Sequence, residues 1–186
     1  MAFMFVCDEY TDKVDNDGAH AYAKIVMDAL RNPQKERPQG ESNLGEVARR
    51  SAYISGVPLS CAIDDDFGRF SLQATEVAST SSWNRFIAAF EEYLNSVIDE
   101  AADRAEGHIR NISNYLELRR LTIGGYPSYL CLELGLDLPD DVMKHPTMKS
   151  LLSLVADTIL LTNVGNIPAH KHIYLTKTLG YVFVQR

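Results

Sequence analysis

Cysteine is scarce in this sequence. Cys7, Cys61 and Cys131 form an odd, scattered set without CxxC spacing, which excludes a disulfide framework and a paired-thiol zinc site. They read as free, partly buried thiols. Long apolar runs are also lacking: no stretch approaches the roughly 18 to 20 residues needed to span a bilayer. Met1 to Cys7 is too short and uncharged for a signal peptide, so the expected address is the cytoplasm. Positive charge is in deficit, with 18 Lys and Arg against 25 Asp and Glu for a net charge of −7. Without a Lys/Arg cluster the surface cannot supply the phosphate neutralisation that dominates nucleic-acid affinity, and DNA and RNA drop out as partners. An acidic chain can still hold a diphosphate where metal ions reverse the local sign.

Two-residue alternation is nearly absent, while apolar positions recur at helical spacing along most of the 186 residues. The expected architecture is all-α, a single globular domain with 46% hydrophobic residues. From Ala19 to Leu30, Tyr22, Val26 and Leu30 share one stripe, and the following RNPQKERPQGES reads as a surface loop. Between Trp83 and Leu118 lies the longest periodic segment, with Phe86, Phe90, Leu94, Val97 and Ala101 on one face. The spacing predicts one core-lining helix there, bent near Gly107. It stops at Gly124-Gly125-Tyr126-Pro127; SYLCLELGL follows as a short buried helix closed by Gly135. Asp140 to Leu161 predicts a further helix with Met148, Leu151, Leu152, Val155 and Ile159 apolar and Pro146 at its start or at a kink. Two segments, Ser51 to Arg69 and Val164 to Arg186, lose the period; the second ends in a strand-like YVFV.

Two features bear on chemistry. In Asp8-Glu9-Tyr10-Thr11-Asp12 the aspartates stand at i and i+4, one helical turn apart, where both carboxylates can reach a common hard cation. Mg²⁺ takes one or two carboxylates plus substrate phosphates, which is what this spacing offers. The competing reading is an acidic helix start favoured by the helix dipole. The second feature is Arg119-Arg120 on the last turn of a helix before the Gly124-Gly125 break. There a guanidinium fork can point at a phosphate, with backbone carbonyls left free at the break. Arginines also favour helix C-termini through the dipole alone.

Taken in order, Asp8-Glu9-Tyr10-Thr11-Asp12, MDALRNPQKERPQGE, Gly45-Glu46-Val47-Ala48-Arg49, YLELRRLTIGGYPSYLCLELGLDLPDDV and His145-Pro146-Thr147 resemble the mushroom-type fungal class I sesquiterpene synthases. The resemblance runs over nearly all of Phe3 to Asn163 except Ser51 to Arg69, and TIGGYPS is its most specific part. It implies an all-α helical bundle around an apolar pocket, with Mg²⁺ ions gripping the diphosphate of farnesyl diphosphate. It further implies Asp8 as principal metal ligand, with Asp12 and Glu9 beside it. Arg120, then Arg119, would contact the diphosphate near the Gly124 break; Phe3, Phe5, Tyr126 and Tyr129 are candidates to face the pocket, against the commoner reading of aromatics at helical spacing as ordinary core. The implied reaction ionises the C–O bond and steers the allylic cation through cyclisation in a dry, aromatic-lined pocket.

The chain departs from that pattern at the family's second metal motif. This motif is expected to begin at Asn163, but the positions four and eight further on are Ile167 and Lys171, and no Arg-Tyr dipeptide is present. His170-Lys171-His172 offers no metal pair in an aperiodic tail. The family's helices before the Asp-rich motif and after the second motif are also missing. The expected organisation is therefore a partial terpene synthase domain over 1–163, incomplete at both ends, and a non-family tail over 164–186. Deleting Ser51 to Arg69 restores a family-like run, and its coding length is a multiple of three, so this segment reads as a retained intron; the tail reads likewise. The expected function is a sesquiterpene synthase-like protein with impaired catalysis. The alternatives are an active cyclase with a degenerate metal site and a non-catalytic helical interaction module.

Overall fold

In a computed structural model the described residues are 2–53 and 78–164, with side chains described over 6–49 and 78–162. Among them the chain forms eight helices and no strand: α1 (Ala2–Thr11), α2 (Asn16–Arg31), α3 (Asn43–Tyr53), α4 (Thr80–Glu106), α5 (Ile112–Thr122), α6 (Gly125–Glu133), α7 (Asp140–Lys144) and α8 (Pro146–Val164). The aperiodic segments read from the sequence lie outside the described residues from residue 54 and from residue 165 onward. None of the described helices is long and apolar enough to cross a membrane.

The 27-residue helix α4 is the beam on which the others pack. Its predicted seam is buried as expected, with Phe86, Phe90, Leu94, Val97 and Ala101 all inside the core. Trp83, Phe86, Phe90 and Tyr93 form a column of rings along it, with successive centroids 5.4, 5.8 and 5.5 Å apart. On one side α2 brings Ala23, Val26, Met27 and Leu30, and α3 brings Leu44 and Ala48; on the other α6 brings Leu130. Tyr22, predicted to share the α2 stripe, is half-buried and meets Tyr10 edge-on at 5.6 Å.

The predicted single helix from Trp83 to Leu118 is in fact two. α4 ends rather than bends, because Gly107 takes a left-handed conformation at φ 65°. The His108 N–H bonds the Asp103 carbonyl at 2.9 Å and the Gly107 N–H bonds that of Arg104 at 3.4 Å, which closes the helix in a Schellman motif. Asn111 then starts α5, its side chain accepting the Asn114 N–H at 2.9 Å. The chain has reversed, and α5 returns along α4.

The predicted Asp140 to Leu161 helix is also divided, with Pro146 as the first residue of α8. Its expected apolar face is not the buried one. Leu151 and Val155 are exposed, whereas Ala156 and Leu160 are buried. The reason is close approach at a small residue: a Cβ built on Gly125 would stand 3.9 Å from the Ala156 Cα, so α6 and α8 pack through their smallest side chains.

Ion pairs pin what the apolar core does not. Arg85 of α4, 17% exposed, pairs with the buried Glu133 of α6 and with Asp140 of α7, and donates to the Leu138 carbonyl at 2.9 Å. The loop after α2 lies on the surface as expected, but Arg37, 7% exposed, anchors it through Asp28 Oδ2 and Glu41 Oε2, both at 2.7 Å. Gly45 makes this possible: a Cβ there would overlap the Glu41 carboxylate and stand 2.8 Å from Ile25 Cγ2.

Gly45→Ala is therefore expected to cost about 1–3 kcal/mol through overpacking, read as a lower thermal midpoint. Gly40→Ala, with nothing within 4 Å of its Cβ but φ +84°, isolates the backbone cost alone. A Gly45→Ala midpoint equal to wild type would remove this close approach from the account of the loop.

Candidate functional site

The two aspartates of the Asp8–Asp12 motif do not begin a helix. They end one: α1 runs from Ala2 to Thr11, and the Asp12 N–H still bonds the Asp8 carbonyl at 2.8 Å, so Asp12 stands one turn beyond Asp8. This overturns the reading of an acidic helix start. The C-terminal end of a helix carries partial negative charge, so carboxylates here are disfavoured by the dipole and call for a compensating cation or donors.

The structure supplies part of that compensation from α4. The hydroxyl of Tyr93, a residue 2% exposed, donates to Asp8 Oδ1 at 3.2 Å. Arg104 lies farther along the same helix with Nη1 3.6 Å from Asp12 Oδ1. Glu9 turns away from this pair to solvent and is bonded by Lys13 at 2.8 Å, which lowers its pKa. Asp8 and Asp12 are thus brought together against α4, and Glu9 is not brought to them. Cys7, next to Asp8, is buried, and burial first and the Asp8 charge second push its thiol far up, so without a metal it stays protonated. Burial likewise raises Cys131 to about 11. Both thiols are free, as expected; Cys61 lies outside the described residues. No three or more His, Cys, Asp and Glu side chains converge among the described residues. Among the described residues the acidic donors here are a pair, Asp8 and Asp12.

The second feature sits at the junction of α5 and α6. Gly124 adopts φ 68°, ψ 14°, a left-handed turn that costs glycine nothing and lets α6 restart at once. The expected free carbonyl at this break is not free. The Gly124 oxygen receives the Ser128 hydroxyl at 2.7 Å and its N–H at 3.3 Å. Arg119 reaches Thr122 Oγ1 at 3.1 Å. Arg120 points to α8 instead, its Nε 2.5 Å from Asp157 Oδ1 and Nη2 3.2 Å from Oδ2, a two-pronged clasp. Asn163 lies near the end of α8, six residues past Asp157, and its side chain falls outside the described residues, as do those of Phe3 and Phe5. Tyr126 and Tyr129 are half-buried.

Both features border α4. α1 and α5 each pack against it, and Glu100 of α4 acts electrostatically on Tyr93, beside Asp8, and on Tyr115, which also feels Arg119. Three partners were not legible as such in the sequence: Tyr93, Arg104 and Asp157. Tyr93 falls near the α4 seam and reads as core. The other two are lone charges on helices, and nothing in their spacing distinguishes them.

Residues 1–163 match the family model described as terpene synthase family 2, C-terminal metal binding. A Delta(6)-protoilludene synthase of Stereum hirsutum is 43% identical over 163 residues, 88% of this chain and 39% of that protein. Sesquiterpene synthase 9 of Postia placenta is 40% identical over the same share of this chain and 42% of its own length. A Delta(6)-protoilludene synthase of Armillaria gallica is 42% identical, again over 42% of its length. The chain thus spans about two fifths of the curated relatives it matches. Among solved structures, an alanine-to-isoleucine variant of the SVS_A2 protein from ancestral sequence reconstruction superposes with a TM-score of 0.72. It is 21% identical, over 96% of this chain and 48% of that one, a likeness of fold.

Burial first, and the Asp8 charge second, raise the Tyr93 hydroxyl well above its ordinary pKa near 10. A raised folded-state value means that its contribution is complete below about pH 10. It is lost as pH climbs from there, where the unfolded chain has released the proton and the native chain has not. Tyr93→Phe should lower stability at pH 7 by about 1.5 kcal/mol, the worth of a hydrogen bond to a charged group, and should flatten the decline above pH 10. Tyr115 and Tyr129, also raised mainly by burial, leave a residual slope. Denaturant titrations at pH 7, 10 and 11 measure both effects, and an unchanged alkaline slope contradicts the assignment.

Proposed function

The chain belongs to terpene synthase family 2, and from that premise we propose that it holds a prenyl diphosphate, farnesyl diphosphate, through Mg²⁺ bound at Asp8 and Asp12. The observation that carries this reading is the carboxylate pair at the negative end of α1, where the helix dipole opposes it and a cation relieves it. The donor set fits the ion: two hard carboxylate ligands one helical turn apart. The sesquiterpene and protoilludene synthases among its relatives support a C15 substrate.

When bound, Mg²⁺ neutralises charge developing on the departing diphosphate. The chain's own residues prepare for that. Tyr93, held by its ring column, fixes the orientation of the Asp8 carboxylate. Asp12 faces the same helix. Arg119 and Arg120 are the proposed basic contacts at the α5–α6 junction, and Arg120 reaches a diphosphate by giving up Asp157. Glu9, bonded to Lys13 at the surface, serves as an outer acidic residue, and Asn163 at the end of α8 is the remaining metal donor in the proposal. Ile167 and Lys171 stand where the second motif's other ligands are expected, so ionisation by this chain is proposed to be slow and its binding of metal and diphosphate to outlast its turnover.

Mg²⁺ with inorganic pyrophosphate at about a hundred times the dissociation constant should stabilise the fold by about 2.7 kcal/mol, a rise of about 5–10 °C in thermal midpoint for a chain of this size. Asp8→Asn should lose most of that rise. In parallel, incubation with farnesyl diphosphate and Mg²⁺, read by gas chromatography, should give little cyclic product. A full thermal shift in Asp8→Asn removes the motif from the site, and rapid cyclisation by the wild-type chain overturns the proposed impairment.

A further inference from the structure

We infer that Arg104 is an alternating counter-ion of this site: it neutralises Asp12 when no metal is bound and turns its guanidinium to the diphosphate when metal occupies the carboxylates. The inference rests on the proposed reading of Asp8 and Asp12 as metal ligands and adds to it a basic residue that the motifs do not contain.

Three observations carry it. The Arg104–Asp12 contact, at 3.6 Å, exceeds hydrogen-bond length, so it is a loose ionic contact that can be exchanged. The second terminal nitrogen, Arg104 Nη2, is shut off from solvent and has no hydrogen-bond partner among the described residues. A buried guanidinium nitrogen left without an acceptor is costly, and phosphate oxygens are the acceptors that its planar fork fits best. The neighbouring carboxylate cannot take that role, because Asp103 is engaged by Arg110, with Nη2 at 3.3 Å from Oδ1. Arg104 also belongs to the last turn of α4, immediately before the Gly107 stop, and its stem continues the stripe of Tyr93, Val97 and Ala101. Its head therefore reaches the acidic end of α1 from the same helix that orients Asp8.

The electrostatics set the sign of each effect. With no metal on Asp8 and Asp12, a guanidinium beside them is attracted. With a divalent ion on them the site becomes net positive, and Arg104 is repelled from the carboxylates while the diphosphate draws it. Arg104 thus competes with metal alone and cooperates with metal plus diphosphate.

That opposition distinguishes the inference from a packing role. Mn²⁺ binding to the full chain, followed by electron paramagnetic resonance without substrate, should tighten three- to tenfold in Arg104→Ala. Binding of inorganic pyrophosphate with Mn²⁺ present, followed by calorimetry, should weaken tenfold or more. Arg104→Lys keeps the charge without the fork and provides a second test if the alanine variant folds poorly. It should leave Mn²⁺ affinity within about twofold and still weaken pyrophosphate binding. Parallel weakening of both ligands in Arg104→Ala assigns the residue to structure and overturns the inference, as does unaltered pyrophosphate affinity in both variants. Asp8→Asn separates the premise: undiminished Mn²⁺ binding there refutes the metal reading itself, whatever Arg104 does.

Discussion

Burial of the apolar seam of α4 is the constraint from which the rest of the arrangement follows. α1, α2, α5 and α6 each reach the core through that helix, and its ring column from Trp83 to Tyr93 gives them a stiff surface to pack on. The column is apolar until Tyr93, where one hydroxyl emerges against Asp8. The scaffold and the candidate site therefore share a helix. A change in how α4 packs alters the acidic pair without touching either carboxylate.

Charge does a different job at each end of this beam. Near its start, Arg85 ties α4 to the buried Glu133 and to the N-terminal turn of α7, a helix with no buried residue of its own. Removing one partner of the Arg85–Glu133 pair would leave an uncompensated buried charge, which costs more than the pair itself is worth. Near its end, Arg104 meets Asp12 with looser geometry and one nitrogen unsatisfied among the described residues. One arginine is tied to two carboxylates and a backbone carbonyl, and the other meets a single carboxylate at longer range.

Much of this was legible in the residues. The α4 seam, the all-α class, the Pro146 start and the break at Gly124 follow from periodicity, proline and glycine, because each of these acts locally. The division at Gly107 was missed since a lone glycine inside a periodic run reads equally as a bend, and only its left-handed conformation decides. The buried face of α8 was misread because Ala156 carries a weak hydrophobic signal while allowing the closest approach to Gly125. At the site, Asp8 and Asp12 were visible through their spacing, but not the end of the helix on which they lie, and that reverses the sign of the dipole argument. The role of Asp157 was invisible, since a clasp between residues thirty-seven apart leaves no trace in local pattern.

The contact between Tyr93 and Asp8 also bears on which side-chain lengths the motif tolerates. The phenol is fixed by a packed ring column, so the carboxyl carbon at position 8 must stop where aspartate stops. Glutamate there, one methylene longer, overshoots the hydroxyl or folds back against the last turn of α1. Position 9 has no such ruler: its carboxylate stands in solvent and meets only the flexible Lys13. Side-chain length is therefore constrained at the first place of the motif and free at the second, an asymmetry set by a neighbouring helix.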